Sequence, residues 1–592
     1  MPVGAFCFWN KILKATILNS RTYLNQFRQS TEYPTKLRQT LKGIFTILTS
    51  GEKITLYKLI LFDLVIGLLD IVFLGALLLI VNFYTKGAAS PKVSFLPASL
   101  LNPNSLLLIG LFCLLFCLKN WFGFSGLKSQ HHFFYAVASR LSKRNMQYYF
   151  NNDYLQFVNV DSSVYTRNIS QQPIEFSSYI LTNFQQVVSQ LILIVFTVCA
   201  ILFYHPTLFL VLFLLLAPPV VLLAWLIRSK LRYIRVQIKR TSEKTLQHLH
   251  ESLSGYIESN IYDKSDFFTG RFHQYQQQLD NNIATQQTLQ SLPSRLIEVF
   301  AVAGFFMLIA LNKLSANSPP VDLLTIGIFM AAAYKIIPGI IKILNCTGQI
   351  RTYQFVITDL LAPDANPVAP ADEPSPVQIK SVGFQQVYFK HGDHQILNNL
   401  CFQLHAGDFM GLSAPSGKGK TTVINLLLGF LQPGCGAICV NGKSINSEML
   451  KTYRRRISYV KQQPFFIHDT MLKNITLADW PVDLDKLDNI ISICGLRSLL
   501  EKHPEGLEKV ITENGKNISG GQRQRMMLAR ALYHEFDFLI LDEPFSEIDD
   551  HSENAILTQL QGLARAGKMI LLITHNKSGL LFCNKMLSLD GE

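Results

Sequence analysis

Residues 409–430 read FMGLSAPSGKGKTTVINLLLGF. The stretch opens on an apolar run, Phe409 to Ser413, of the length of a buried strand. It passes through Ala414-Pro415-Ser416-Gly417-Lys418-Gly419-Lys420-Thr421-Thr422 and ends in a helical run, Val423 to Phe430. A strand, a glycine-rich loop and a helix in that order let backbone N–H groups converge on phosphate oxygens at a helix N-terminus. Lys420 is placed to reach the β- and γ-phosphates of ATP, and Thr421 to hold Mg²⁺. Ser416, Gly417, Gly419 and Thr422 complete the expected ATP-binding loop. The pattern GxxxxGK[ST] begins with Gly, whereas Ala414 stands at that position. Ala adopts most backbone conformations except positive φ, so the departure costs little chemically.

Downstream, Phe538-Leu539-Ile540-Leu541-Asp542-Glu543 is an apolar strand ending in two carboxylates. Asp542 is placed to orient a Mg²⁺ shell and Glu543 to polarise an attacking water. Short β-branched runs alternating with helical stretches over 378–592 imply an α/β domain.

Further motifs in the same region carry a family resemblance. Ile518-Ser519-Gly520-Gly521-Gln522-Arg523-Gln524-Arg525 resembles the LSGGQ signature of ABC ATPases, with Ile in place of Leu. Gln462 matches the Q-loop, Ser546-Glu547-Ile548-Asp549 the D-loop, and Thr574-His575 the switch histidine. The resemblance spans about 215 residues in the family's order. It implies two such domains packed head to tail, with ATP between the phosphate loop of one and the signature of the other. By that resemblance Ser519, Gly520, Gly521 and Gln522 contact the opposite subunit's ATP. His575 holds the γ-phosphate and the attacking water, Gln462 senses nucleotide and contributes to the Mg²⁺ shell, and Asp549 belongs to the dimer contact. Glu543, His575 and Gln462 form the expected catalytic set. In the family an aromatic commonly stacks on adenine. Within Val387-Tyr388-Phe389-Lys390-His391 that position is held by His391, whose imidazole stacks over a smaller area than a phenol ring.

The chain before this domain is of another kind. Of 592 residues, 49% are apolar and only 16% charged, a charge deficit that points to a membrane. Six apolar stretches have the roughly 20 residues needed to cross a bilayer; they run over 56–84, 104–123, 179–204, 206–228, 294–313 and 321–345. The net charge of +13 is concentrated in the N-terminal segment and in the loops after the second and fourth spans. By the positive-inside rule both termini and both long loops are cytoplasmic, and the basic balance is a topology signal, so no nucleic-acid partner is expected. The first 50 residues hold no apolar core with a small-residue cleavage site, so no signal peptide is expected. Asn168, Asn474 and Asn517 match N-x-[ST] but fall in cytoplasmic segments. The ten cysteines show no zinc spacing and read as reduced structural thiols.

The expected fold is therefore an α-helical polytopic membrane domain, six transmembrane helices of the exporter type, followed by an α/β P-loop NTPase domain of the ABC kind. The boundaries are 1–54 for a cytoplasmic N-terminal segment with an elbow helix, 55–350 for the transmembrane domain, 361–377 for a Pro/Ala-rich linker and 378–592 for the nucleotide-binding domain. The segments Tyr148 to Asn168 and Glu251 to Phe272 are similar to the two intracellular loops of such exporters, whose coupling helices dock on the ATPase. Asp63 and Asp70 lie seven residues apart on one face of the first span. Asp70 and Lys335 are the expected charges of a translocation path or of an ion pair inside the bundle, since charge within a span is costly and usually functional. The resemblance implies an integral protein of a bacterial inner membrane that works with a second copy of itself or a related chain. Its cofactors are ATP and Mg²⁺, and its cargo is a lipid, lipid-linked glycan, peptide or hydrophobic compound. The alternative is an ATP-gated regulator or channel on the same scaffold.

Overall fold

The computed structural model describes residues 33–86, 106–151, 154, 158, 160–204, 233–234, 236–314, 323–361, 377–415, 417–479 and 481–589. The chain divides into two units, Met1–Asn152 with Val160–Val368, and Asp153–Asn159 with Ala369–Glu592.

The first unit is mainly helical among its described residues, with short breaks such as Tyr262–Lys264. Its elements are α1 (Tyr33–Ile47), α2 (Ser50–Lys86), α3 (Leu107–Asn151), α4 (Thr182–Tyr204), α5 (Tyr256–Ile261), α6 (Ser265–Leu314), α7 (Leu323–Thr352) and α8 (Gln354–Leu361). The segment before the first expected span, read from sequence as holding an elbow helix, contains the helix α1. It is cut from α2 by Thr49, which forms a reciprocal cap with Glu52: Thr49 N–H donates to Glu52 Oε2 (2.9 Å) and Glu52 N–H to Thr49 Oγ1 (3.3 Å). Arg140 of α3 then grips the same Glu52 with two nitrogens, at 2.6 and 2.9 Å. Below this clamp Ile44, Ile47, Phe134, Leu141, Phe176, Val356 and Leu360 bury one apolar cluster from α1, α3, α8 and the segment before α4.

Among the described residues, three helices are long and apolar enough to cross a membrane: Ser50–Leu77, Leu107–Asn151 and Ser162–Cys199. They correspond to the first three expected spans. The expected fourth span, 206–228, lies outside the described residues, and the fifth and sixth lie on α6 and α7. Polar side chains tie the bundle from within. Asp63 accepts from Gln130 of α3 and from Gln185 (2.7 Å) and Ser189 (3.1 Å) of α4. Asp70 forms an ion pair with Lys119 of α3, whose ammonium also lies over the Phe116 ring at 4.8 Å. Both acids of the first span thus turn toward α3. Lys119 was not among the residues the sequence singled out, and the side chain of Lys335 lies outside the described residues.

The second unit is built on two sheets. An antiparallel sheet in the order β2-β1-β4-β5 consists of β1 (Ser381–His391), β2 (His394–His405), β4 (Cys435–Val440) and β5 (Lys443–Ile445). A parallel sheet in the order β11-β3-β10-β9-β6 consists of β3 (Phe409–Ser413), β6 (Ile457–Val460), β9 (Phe538–Asp542), β10 (Met569–Ile573) and β11 (Lys585–Ser588). The two-residue strands β7 (Asp469–Thr470) and β8 (Val510–Ile511) pair separately. β9 and β10 are buried at every position, as a parallel sheet covered on both faces requires. Alternation splits their side chains between two cores. Leu539, Leu541, Ile570 and Leu572 join one, with α10 (Gly520–Tyr533) and α11 (Asp550–Arg565). Phe538, Ile540, Leu571 and Ile573 join the other, with α9 (Lys420–Leu427) and the antiparallel sheet.

The Asp70–Lys119 pair yields a direct test. Lys119 is 7% and Asp70 32% exposed at the side chain; Lys119→Ala should destabilise the protein by an amount at or below the low end of the roughly 3–5 kcal/mol found for removing one partner of a fully buried pair, since Asp70 stays partly solvated. Replacing both residues by apolar ones should restore most of that loss, read as the thermal midpoint in detergent.

Candidate nucleotide site

Parallel register sets the site. Ile573 pairs with both Leu412 and Asp542, and Val460 pairs with Leu541. The carboxyl ends of β3, β10, β9 and β6 therefore stand side by side, the place where open α/β sheets bind ligands. The phosphate loop leaves β3, Glu543 directly follows β9, and His575 and Gln462 each stand two residues after the ends of β10 and β6.

Three side chains meet on the Glu543 carboxylate. Lys420 Nζ lies 2.9 Å from Glu543 Oε1, and His575 Nε2 lies 3.1 Å from the same oxygen. Gln462 Nε2 donates to Glu543 Oε2 at 2.9 Å. Lys420 also contacts His575 Nε2. Glu543 takes a left-handed backbone with φ 49°, and its N–H donates to Ile573 O at 2.9 Å. A non-glycine residue there carries strain of about 1–2 kcal/mol. The turn breaks the alternation of β9, so that Glu543 reaches the loop while Asp542 stays in the sheet.

Asp542 is buried beside the Tyr459 hydroxyl, which donates to Oδ2 at 3.4 Å. Burial raises the Asp542 pKa, the neighbouring Glu543 charge raises it further, and Lys420 opposes both. Two adjacent carboxylates beside a phosphate-binding loop are a donor set suited to a divalent cation. Thr421 stands at the N-terminal turn of α9, on the same loop. The backbone at Gly417 (φ 82°) and Gly419 (φ 89°) is left-handed, a region open to glycine. A Cβ at Gly419 would in addition lie 2.9 Å from Ile396. Ala414 is not left-handed and is 2% exposed, so a methyl group is accommodated where the motif has its first glycine. Ser416 lies outside the described residues.

The signature stands at the N-terminus of α10. Ser519 caps α10 in a reciprocal box: its Oγ accepts Gln522 N–H (3.4 Å), and its own N–H donates to Gln522 Oε1 (3.0 Å). The D-loop is laced to this helix. Gln524 accepts the Glu547 N–H (2.8 Å) and donates to Ser546 Oγ (2.5 Å). Arg523 meets the Glu547 carboxylate at 3.4 Å, and Arg525 meets Asp549 Oδ2 at 3.3 Å. Gly520 and Gly521 admit this contact: a Cβ on the first would fall on Glu547 Oε2, and on the second 2.7 Å from Glu547 O. At the far end of α10, Arg530 donates to Asn474 O (2.7 Å) and Phe465 O (2.8 Å), holding the segment after Gln462. Burial pulls the Arg530 pKa down to about 10.

His391 is exposed at the end of β1, paired with His394 across a tight turn. Sequence reasoning did not single out Tyr459, Glu547, Gln524 or Arg530. Tyr459 could have been found from its place on the strand that precedes Gln462. Tyr154 was also missed as a contact. It belongs to the short segment Asp153–Asn159 that packs with the second unit, and its ring stacks on Phe430 at 4.9 Å between centroids. Arg454 lies over the Phe430 ring at 4.5 Å.

These features define a class, a P-loop ATPase domain with an ABC signature attached to a helical membrane unit. Residues 397–546 match the family description "ABC transporter". The fold matches the structure of a bacterial Atm1-family ABC exporter with ATP bound, with a TM-score of 0.74 and 18% identity over 90% of this chain and 94% of that one. The ATP-dependent lipid A-core flippase of Burkholderia pseudomallei (strain 1710b) is 26% identical over 382 residues, 62% of this chain and 63% of the flippase. A probable ABC transporter ATP-binding/permease protein of Haemophilus influenzae is 30% identical over 222 residues, 37% of this chain and 40% of that protein. The chain thus aligns with less than two thirds of the flippase's length. It carries an ABC transporter ATPase domain and has the fold of an exporter-type half-transporter.

The two signature glycines give opposite expectations for one added methyl. At Gly520 the methyl meets the movable end of a side chain, at Gly521 a backbone oxygen. Gly521→Ala should lower the thermal midpoint more than Gly520→Ala. Glu547→Ala should relieve the second variant and leave the first unrelieved, as read by thermal unfolding of the purified protein.

Proposed function

We propose that the protein is one half of an ATP-driven exporter or flippase, with hydrolysis at a dimeric nucleotide interface driving alternating access of the membrane unit. The observation that carries the reading is the convergence of Lys420, Gln462 and His575 on Glu543 at the ends of adjacent parallel strands. Lys420 would leave Glu543 for the β- and γ-phosphates when ATP enters. Glu543 is then released to take the proton of an attacking water, with His575 positioning the γ-phosphate and water and Gln462 reporting their presence. Thr421, Asp542 and Gln462 would hold Mg²⁺, which when bound neutralises charge on the phosphates. His391 would supply the adenine platform.

In the family the signature resembles, it closes over the ATP held by an opposite subunit, so the reading requires a partner, either a second copy or a related subunit. Ser519, Gly520, Gly521 and Gln522 would close over the partner's ATP, with Asp549 at the joint. Tyr154 supports coupling, since a residue from the loop after the second span stacks within the nucleotide-binding unit. The flippases among the relatives support a lipid or lipid-linked cargo, the apolar helices support residence in a membrane, proposed to be the bacterial plasma membrane, and the basic segments support cytoplasmic termini. Asp70, paired with Lys119, and Lys335 are proposed along the path of that cargo.

The decisive experiment is ATP turnover in lipid vesicles with transport of a labelled lipid. Glu543→Gln should lower turnover at least a hundredfold while ATP binding persists; undiminished turnover sinks the assignment. Tyr154→Ala should retain ATP binding and basal turnover but lose most cargo movement. His391→Ala should weaken ATP affinity several-fold, and unchanged affinity removes its stacking role. A steady ATP-dependent conductance without lipid movement would point to a channel instead.

A further inference from the structure

A buried carboxyl outside the reacting cluster stands behind His575. Glu553, one turn into α11, is 3% exposed. Its Oε2 accepts from Asn576 Nδ2 at 3.0 Å, and its Oε1 has no hydrogen-bond partner. A buried carboxyl only half satisfied is destabilising in itself, and burial raises its pKa against the opposing bond from Asn576. Such a group is easiest to understand where its one bond has work beyond packing.

That bond reaches the residue next to His575. Asn576 is otherwise locked locally: its N–H donates to Thr574 Oγ1 (3.0 Å), and its Oδ1 accepts from Ser578 N–H (3.1 Å) and Ser578 Oγ (2.8 Å). Its amide nitrogen is the end left for a distant partner, and Glu553 takes it. The other end of the same helical turn is Asp549, the cap of α11. Asp549 Oδ1 accepts from Ser552 N–H (2.9 Å) and Asp549 Oδ2 meets Arg525 of the signature helix. Arg525 donates as well to Ser552 Oγ at 2.8 Å. The turn 549–553 is thus fastened to α10 at one end and to the residue after His575 at the other.

We propose that Glu553 is a positioning residue: through Asn576 it fixes the backbone that presents His575 to Glu543 and Lys420, and it ties that histidine to the signature helix through the first turn of α11. The inference rests on the hydrolytic reading of His575 above. Because the signature would contact one ATP and His575 the other, this turn joins the two nucleotide sites of a dimer by a short rigid path. Glu553 itself touches neither nucleotide.

The test is steady-state ATP turnover by the full-length protein in lipid vesicles. Glu553→Ala should lower kcat about tenfold with KM for ATP within twofold of the parent. Glu553→Gln keeps an oxygen for Asn576 and should retain most of the rate. Asn576→Ala should match Glu553→Ala, and the double variant should be no slower than either, since the two act in series. Gly579→Ala offers a milder perturbation that leaves the core filled. Its Cβ would lie 3.1 Å from Glu553 Oε1, and kcat should fall in the same direction by a smaller factor. The proposal is overturned if Glu553→Ala keeps the parent kcat, if its loss adds to that of Asn576→Ala, or if kcat and KM worsen together in step with a lowered thermal midpoint. No turnover in the parent overturns both this inference and the hydrolytic reading; turnover in the parent with Glu553→Ala unaffected overturns the positioning role alone.

Discussion

Parallel pairing of β9 with β10 on one side and β6 on the other is the constraint on which the nucleotide-binding unit depends. Residues scattered between 409 and 575 in sequence become neighbours only because four strands end in register. The strands hold that register because every residue of β9 and β10 is apolar or paired and buried on both faces. A slip of one residue would exchange the two cores, sending Leu539 and Leu541 where Phe538 and Ile540 belong. It would also move Glu543 away from Lys420. Packing and chemistry are therefore set by the same pairing, and the strained turn at Glu543 is tolerated because the strand before it cannot move.

Much of this was legible in the sequence. The phosphate loop, the acidic strand end and the switch histidine each sit next to an apolar run, and a strand followed by a functional loop is a local pattern. What was not legible depends on which helix face meets which loop. Glu547 reads as one more polar residue of a D-loop until Gly520 and Gly521 are seen to make room for it. Tyr459 reads as a strand aromatic until the pairing of β6 with β9 brings it to Asp542. Glu553 sits four residues after Asp549, a spacing that puts both on one side of α11, yet nothing local reveals that Asn576 lies opposite.

The membrane unit shows the same division. Hydropathy locates apolar spans, and the seven-residue spacing of Asp63 and Asp70 places them on one face. Their partners were beyond that reading, because Gln130, Gln185, Ser189 and Lys119 come from other helices and no periodicity links them to α2. Lipid tails offer no hydrophobic drive for helix association, so hydrogen bonds and ion pairs between α2, α3 and α4 do the orienting that an oily core does in the other unit. Close approach at Gly126, where a Cβ would collide with Phe62, lets those polar groups meet.

The ion pair between Lys420 and Glu543 has a consequence for the order of events. In the proposed cycle Glu543 is the general base, and the structure pairs it with Lys420, the cation proposed to take the phosphates. An ammonium at 2.9 Å offsets the carboxylate's charge, which under that proposal softens its repulsion of an incoming phosphate. In the proposed cycle the arriving anion therefore competes for the ammonium, and by winning it arms the carboxylate. Under that proposal, binding and activation become one exchange of partners.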